Sequence, residues 1–217
     1  MAETAPERGI YEWWARHPCL YDAMTRIAFM GRRDQLRRRA VASLRLTPGS
    51  QVLDLGCGAG PSLELLVAAV GPQGSVLGID ASPGMLGRAA ALARSRGWSN
   101  VELRKADASN LDLEPDSFDG ALCALSLSAI AGHRAAIESV RGALRAGRSL
   151  AVVDATPFPG RLRILNRPLR AVFVSSTGWD AEADLVGELS EALGPVRLQR
   201  FNLGSAYVAI ATRRDCG

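Results

Sequence analysis

Three short runs of this chain carry residues whose types and spacing can do chemistry. In "VLDLGCGAG", residues 52–60, an apolar stretch runs into Gly56, Gly58 and Gly60, with Asp54 two positions before the first glycine. In "GIDASPGML" an acid, Asp80, closes a second apolar run, and in "KADASNLDL" Asp107 closes a third. Glycines spaced this tightly let a backbone turn sharply and approach a ligand that a Cβ would hold off. A carboxylate at a strand end can accept hydrogen bonds from two neighbouring ligand hydroxyls at once.

Those residues need a scaffold, and the periodicity of the chain supplies one. Residues 11–30 and 32–46 read as two helices joined near Gly31, before a break at Pro48 and Gly49. "QVLDLG", "SVLGID", "VELRKAD", "FDGALCALSLS" and "SLAVVDA" read as strands. Between them, "PSLELLVAAV", "SPGMLGRAAALARSRG" and "HRAAIESVRGALRAG" read as helices, the last two closed by Gly97 and Gly147. Residues 161–175 look helical but are interrupted by Pro168, and "AEADLVGELSEALG" is a further helix. "VRLQRFNLG" and "SAYVAIATRR" close the chain as a hairpin. Alternating helices and nearly continuous apolar strands imply a Rossmann-like α/β fold: a seven-stranded, mostly parallel sheet with an antiparallel edge strand and helices on both faces. Residues 1–48 form an N-terminal helical cap on a domain spanning 49–217. In such sheets ligands bind beyond the carboxyl ends of the strands, where the strand order reverses.

The glycine loop discriminates between ligands. A phosphate-binding P-loop needs a lysine after its last glycine, and none follows Gly60. The dinucleotide fingerprint GxGxxG is one residue longer than Gly56-Cys57-Gly58-Ala59-Gly60, although Asp80 would serve a ribose in either case. Taken in order, the glycine run, "GIDASPGML", "KADASNLDL" and "DSFDGALCALSLS" resemble the class I S-adenosylmethionine-dependent methyltransferases. The likeness is to their small-molecule group, which includes ubiquinone-type and phospholipid N-methyltransferase-like enzymes, and it covers residues 50–155.

That resemblance implies S-adenosylmethionine as cofactor and assigns roles. Gly56, Gly58 and Gly60 would pass under its methionine part, with Asp54 near the amino group. Asp80 would hold the ribose, Met85 would lie against the adenine, and Asp107 with Ala108 would meet the adenine amine. Leu125 and Ser126 would line the methyl-transfer side, and Tyr21, in a "YD" pair, would cap the cofactor from the N-terminal segment. Structural alternatives stand beside these: Asp80 as a helix cap, Met85 as ordinary core. The chain departs from the family in replacing the usual "PGG" before the fifth strand with "RAGRS", and it lacks an NPPY-like stretch, which argues against DNA as substrate.

Methyl transfer from a sulfonium mainly requires alignment of nucleophile, methyl and sulfur. A general base helps when the acceptor is a hydroxyl and matters less for an amine or a stabilised carbon. The candidates are His133, His17 and Asp154, none of which the sequence singles out. With two histidines and four scattered cysteines, no metal site is expected. The remaining segments set the acceptor: the aromatic N-terminal stretch with Tyr11, Trp13, Trp14 and Tyr21, and residues 158–179, where Arg161, Arg163, Arg167 and Arg170 alternate with apolar residues.

The expected activity is methylation of a small, apolar or aromatic metabolite. A membrane lipid or quinone acceptor is the alternative, approached by peripheral contact through those arginines and Arg32, Arg33, Arg37, Arg38 and Arg39. A non-methylating use of the same pocket, such as a cyclisation or rearrangement, is a further alternative. No apolar run is long enough to span a bilayer and the N-terminus carries no apolar signal core, so a cytoplasmic protein is expected.

Overall fold

The structure, a computed structural model, describes residues 5–167 and 178–214. Tyr11's side chain and residues 168–177, including Arg170 and the Pro168 interruption, lie outside the described residues, as does Cys216.

The strands are β1 (Gln51–Leu55), β2 (Ser75–Asp80), β3 (Val101–Lys105), β4 (Gly120–Ala124), β5 (Ser149–Ala155), β6 (Val196–Phe201) and β7 (Ala206–Thr212). They form one sheet in the order β3-β2-β1-β4-β5-β7-β6. The first five pair in parallel, and β7 runs antiparallel to both of its neighbours. The antiparallel strand is therefore one in from the edge, not the edge itself: the hairpin returns β7 to pair with β5 and leaves β6 outermost.

Side-chain alternation along the strands divides the core into two layers. Leu53, Leu55 and Val152 face α6 (His133–Ala143) and α7 (Leu185–Leu193). Val52, Ala151 and Val153 face α3 (Arg33–Ser43) and α4 (Leu63–Val70). By the same period, Asp54 shares the face of Val52 and looks toward α3. The buried positions of α3, Leu36, Arg37, Ala40 and Val41, recur at helical spacing and dock it on that face.

Several elements differ from expectation. The first long helix is two, α1 (Ala5–Arg16) and α2 (Pro18–Ala28). Pro18 has no N–H to continue a helix and pushes His17 out of helical geometry, to φ −123°. Strand β4 ends at Ala124 because Leu125 turns to φ 65°, and Leu127–Ala129 is a single 3-10 turn. Strand β3 ends at Lys105, which leaves Asp107 in a turn closed by Asn110 N–H on its carbonyl. The stretch after β5 begins as a 3-10 turn, Gly160–Leu165.

The order of strands reverses between β1 and β4, so the loops that leave their carboxyl ends diverge and open a crevice there. No helix among the described residues is long and apolar enough to cross a membrane.

Candidate functional site

A cavity of about 730 Å³ occupies that crevice, within the size range of sites that enclose small molecules. Its floor is the glycine loop after β1. Gly56, Gly58 and Gly60 all adopt left-handed φ values, 66°, 55° and 84°. A Cβ on Gly56 would collide with the Ser126 side chain, whereas one on Gly58 would meet nothing within 4 Å. The first glycine is thus demanded by packing, and the second keeps an open face.

Asp80, ending β2, braces this loop. One carboxylate oxygen accepts from Gly58 N–H at 2.8 Å and the other from Ser82 N–H at 2.9 Å. Enclosure pushes its pKa up, and those backbone donors pull the other way. Each carboxylate oxygen retains a second lone pair for a ligand hydroxyl. The helix cap is a different residue: Ser82 Oγ accepts from Met85 N–H at 3.2 Å at the start of α5 (Pro83–Arg96).

Glu12, which sequence reasoning missed, locks the cap. Reaching across from α1, its Oε1 accepts from Ser82 Oγ at 2.7 Å and Gly84 N–H at 3.0 Å. These two hydrogen bonds, in that order, hold its carboxyl below the usual range. A lone glutamate beside two tryptophans gives no local signal of a partner seventy positions away.

The far wall comes from β3 and β4. Asp107 accepts from Ser109 N–H at 2.9 Å and Ser109 Oγ at 2.7 Å, with Ala108 beside it on the lining. Ser126 donates to the Leu55 carbonyl at 3.1 Å and so ties the end of β4 to the end of β1. The roof is α2, whose Tyr21, Asp22 and Thr25 face inward, with Arg33 and Arg37 of α3 behind them. Arg33 pairs with Asp22 at 2.7 Å, and Arg37 pairs with Asp34 at 3.1 Å.

The cavity therefore gathers Gly56, Gly58, Asp80, Met85, Asp107, Ala108, Leu125, Ser126 and Tyr21. Gly60 lies just behind the lining, packed on Leu63 and Ala89. Asp54 is also behind it, 1% exposed, with Oδ2 lacking a hydrogen-bond partner. Burial raises its pKa to about 7, while Arg37 pulls it down. Arg37 is itself buried, with an unpartnered Nε.

The three base candidates lie outside the lining. His17 stacks on Trp13 and bonds its carbonyl at 2.8 Å. His133 starts α6 and pairs with Glu188 of α7 at 2.6 Å. Asp154 is buried and accepts from Ser128 N–H and Oγ and from Ala155 N–H. Of the expected cationic cluster, Arg33 and Arg37 turn into the cavity, leaving Arg32, Arg38 and Arg39 exposed. Among the described residues the free thiols Cys57 and Cys123 are buried and Cys19 is exposed.

A family profile described as a methyltransferase domain matches residues 52–147, the stretch from β1 to the turn before β5. The chain is similar to the demethylmenaquinone methyltransferase of Symbiobacterium thermophilum, 30% identical over 66% of this chain and 58% of that protein. It is 41% identical to that of Desulfitobacterium hafniense over 46% of this chain and 40% of that protein. Residues 52–147 thus carry a methyltransferase-like domain, in keeping with the resemblance to the class I S-adenosylmethionine-dependent methyltransferases. Among solved structures, it superposes on a S-adenosylmethionine-dependent methyltransferase from Aquifex aeolicus with a TM-score of 0.61. That likeness covers 81% of this chain and 88% of the other at 22% identity, and it concerns the fold. The matched segments span about half the length of the curated relatives.

S-adenosylmethionine is the cofactor that this resemblance implies, and the residues present fit it. The open face of Gly58 leaves room for a ligand against the backbone. Asp80 and Asp107 supply acceptors, and Met85 and Ile130 supply apolar contact for a flat ring. Asp54, behind the loop, and Arg37, beneath the roof helix, each keep one buried polar atom without a partner, and buried polar groups call for one. When bound, the cofactor supplies an electrophilic methyl on a sulfonium. The chain's own part is to hold it, exclude water and orient the acceptor.

Proposed function

We propose that the protein transfers a methyl group from S-adenosylmethionine to a small, lipophilic aromatic acceptor, acting in the cytoplasm. In this reading Tyr21, Gly56, Gly58, Gly60, Asp80, Met85, Asp107, Ala108, Leu125 and Ser126 hold the cofactor, and Asp54 meets its amino group. The helices of the N-terminal segment, α1 and α2, close over it.

One observation carries the choice of acceptor. The carboxylates lining the cavity are engaged within the protein: Glu12 by Ser82 and Gly84, Asp22 by Arg26 and Arg33, Asp80 by Gly58 and Ser82, Asp107 by Ser109. An acceptor served by such a site brings its own nucleophile, as an electron-rich aromatic carbon or an amine does. The apolar lining of Trp14, Tyr21, Leu125 and Ile130 suits an aromatic body. The similarity to demethylmenaquinone methyltransferases supports a reduced quinone as the specific case.

The test is incubation with methyl-labelled S-adenosylmethionine and a panel of reduced naphthoquinones and benzoquinones with prenyl tails. Label extracted into organic solvent, with stoichiometric S-adenosylhomocysteine, supports the reading. Consumption of the cofactor with no label on any quinol or simple aromatic amine contradicts it.

A further inference from the structure

Among the described residues, the large apolar side chains left in water are Trp13, Leu20, Ile27, Met30, Ile164 and Leu203. Leu20 and Ile27 belong to α2 and Met30 follows it directly, while Leu203 and Ile164 belong to turns later in the chain. Leu20 and Ile27, 52% and 78% exposed, stand two turns apart on α2, with the exposed Ala23 between them. Just past α2, the Phe29 carbonyl accepts from Asn202 Nδ2 at 2.9 Å, which ties the β6–β7 turn to this end of the helix. Gly204 in that turn packs against Pro159, and the 3-10 turn carrying Ile164 follows directly.

Two of these residues are displayed at a conformational cost. Met30 and Leu203 adopt left-handed φ values, 49° and 57°, where glycine or asparagine would be unstrained. Backbone strain that presents an apolar side chain to water contributes nothing to folding, and strain of this kind gathers at functional sites. Charge surrounds the same corner. Arg32, Arg161, Arg163 and Arg167 are exposed, Arg26 is exposed but paired with Asp22 at 3.0 Å, and residues 156–167 contain no acid. Arg39 lies over the ring of Phe201 at 5.4 Å, just before the turn.

We propose that this corner, α2 with the 202–204 and 160–165 turns, docks on an anionic lipid membrane. The apolar residues enter the headgroup boundary and the arginines meet lipid phosphates. The opposite face of α2 roofs the cavity through Tyr21, Asp22 and Thr25, so an acceptor dissolved in the bilayer would reach the site around one helix. For that route the inference rests on the lipophilic-acceptor reading; the docking is measured apart from catalysis.

The experiment is co-sedimentation with phosphatidylcholine vesicles, with and without about one-third phosphatidylglycerol. The full chain is expected to sediment with the anionic vesicles, less so at high salt, and to stay in solution with the neutral ones. Ile27→Gln is expected to weaken partitioning by roughly tenfold, the loss of one well-buried aliphatic side chain. Leu203→Gly is the sharper probe, because it should weaken partitioning while leaving the melting temperature equal or higher. Absence of wild-type sedimentation, or partitioning of both variants equal to that of wild type, overturns the proposal. So does a dimer in light scattering that Ile27→Gln dissolves while vesicles are ignored, since the patch would then be a protein interface. Titration of the same preparations with S-adenosylhomocysteine keeps the two claims apart: no binding would sink the cofactor reading and leave the vesicle result standing.

Discussion

Replacing Asp54 by Asn tests whether burial sets the electrostatics behind the glycine loop. In the folded protein its carboxyl titrates at about 7, against an ordinary value of 3.8. Between those values the folded state holds a proton that the unfolded chain has released, so stability falls as pH rises through this window. That displacement is equivalent to roughly 4 kcal/mol of stability lost between about pH 4 and pH 7. Asn carries no charge at any pH and escapes this loss. Urea unfolding of both proteins at pH 5 and pH 8 measures it. Asp80 and Asp154 are raised in the same sense; Asp154 is common to both proteins, whereas the charge of Asp80 acts on Asp54 and belongs to the difference. The variant is expected to gain several kcal/mol on wild type as pH goes from 5 to 8. A difference that stays flat across that range would refute the reasoning.

Further consequences follow from the same geometry. If Asp54 meets the cofactor's ammonium, S-adenosylhomocysteine binding at pH 6 should release about one proton, read from calorimetry in buffers of different ionisation heat. Asp54→Asn should abolish the release. Gly56→Ala, which drives a Cβ into Ser126 at a left-handed φ, should lower the melting temperature substantially. Gly58→Ala faces open space and should cost only about 1 kcal/mol of strain while blocking S-adenosylhomocysteine, so scanning calorimetry and ligand titration should separate the two. Glu12→Gln should loosen the α5 cap, lowering cofactor affinity several-fold with a stability loss of about 1 kcal/mol or less. Because Glu12 is held below its ordinary value, its contribution is present above about pH 4.5 and fades as pH falls, which a pH series of melting curves would show.

Much of this was legible in the sequence, because strand–helix alternation and the glycine-acid signatures are local patterns. Gly56, Asp80 and Asp107 sit at strand ends, and a parallel sheet brings strand ends together, so their meeting in one crevice follows from chain order. Glu12, Arg33 and Arg37 were not legible as cavity residues. Their placement depends on how α1 and α3 dock, and "GRRDQLRRR" reads the same whether its arginines face water or a cavity. The break at His17-Pro18 was visible in principle, but the apolar periodicity on either side masked it. The early end of β4 has a tertiary cause in Ser126, whose bond to the Leu55 carbonyl turns the chain. The arrangement of β6 and β7 was half legible: a hairpin is a local event, and which of its strands pairs with β5 is not.

The central claim is that the glycine-loop cavity binds S-adenosylmethionine, and isothermal titration of the purified protein tests it most directly. S-adenosylmethionine and S-adenosylhomocysteine are expected to bind with micromolar affinity, with no response to NADH. Binding of NADH without either sulfur ligand would contradict the account at its root.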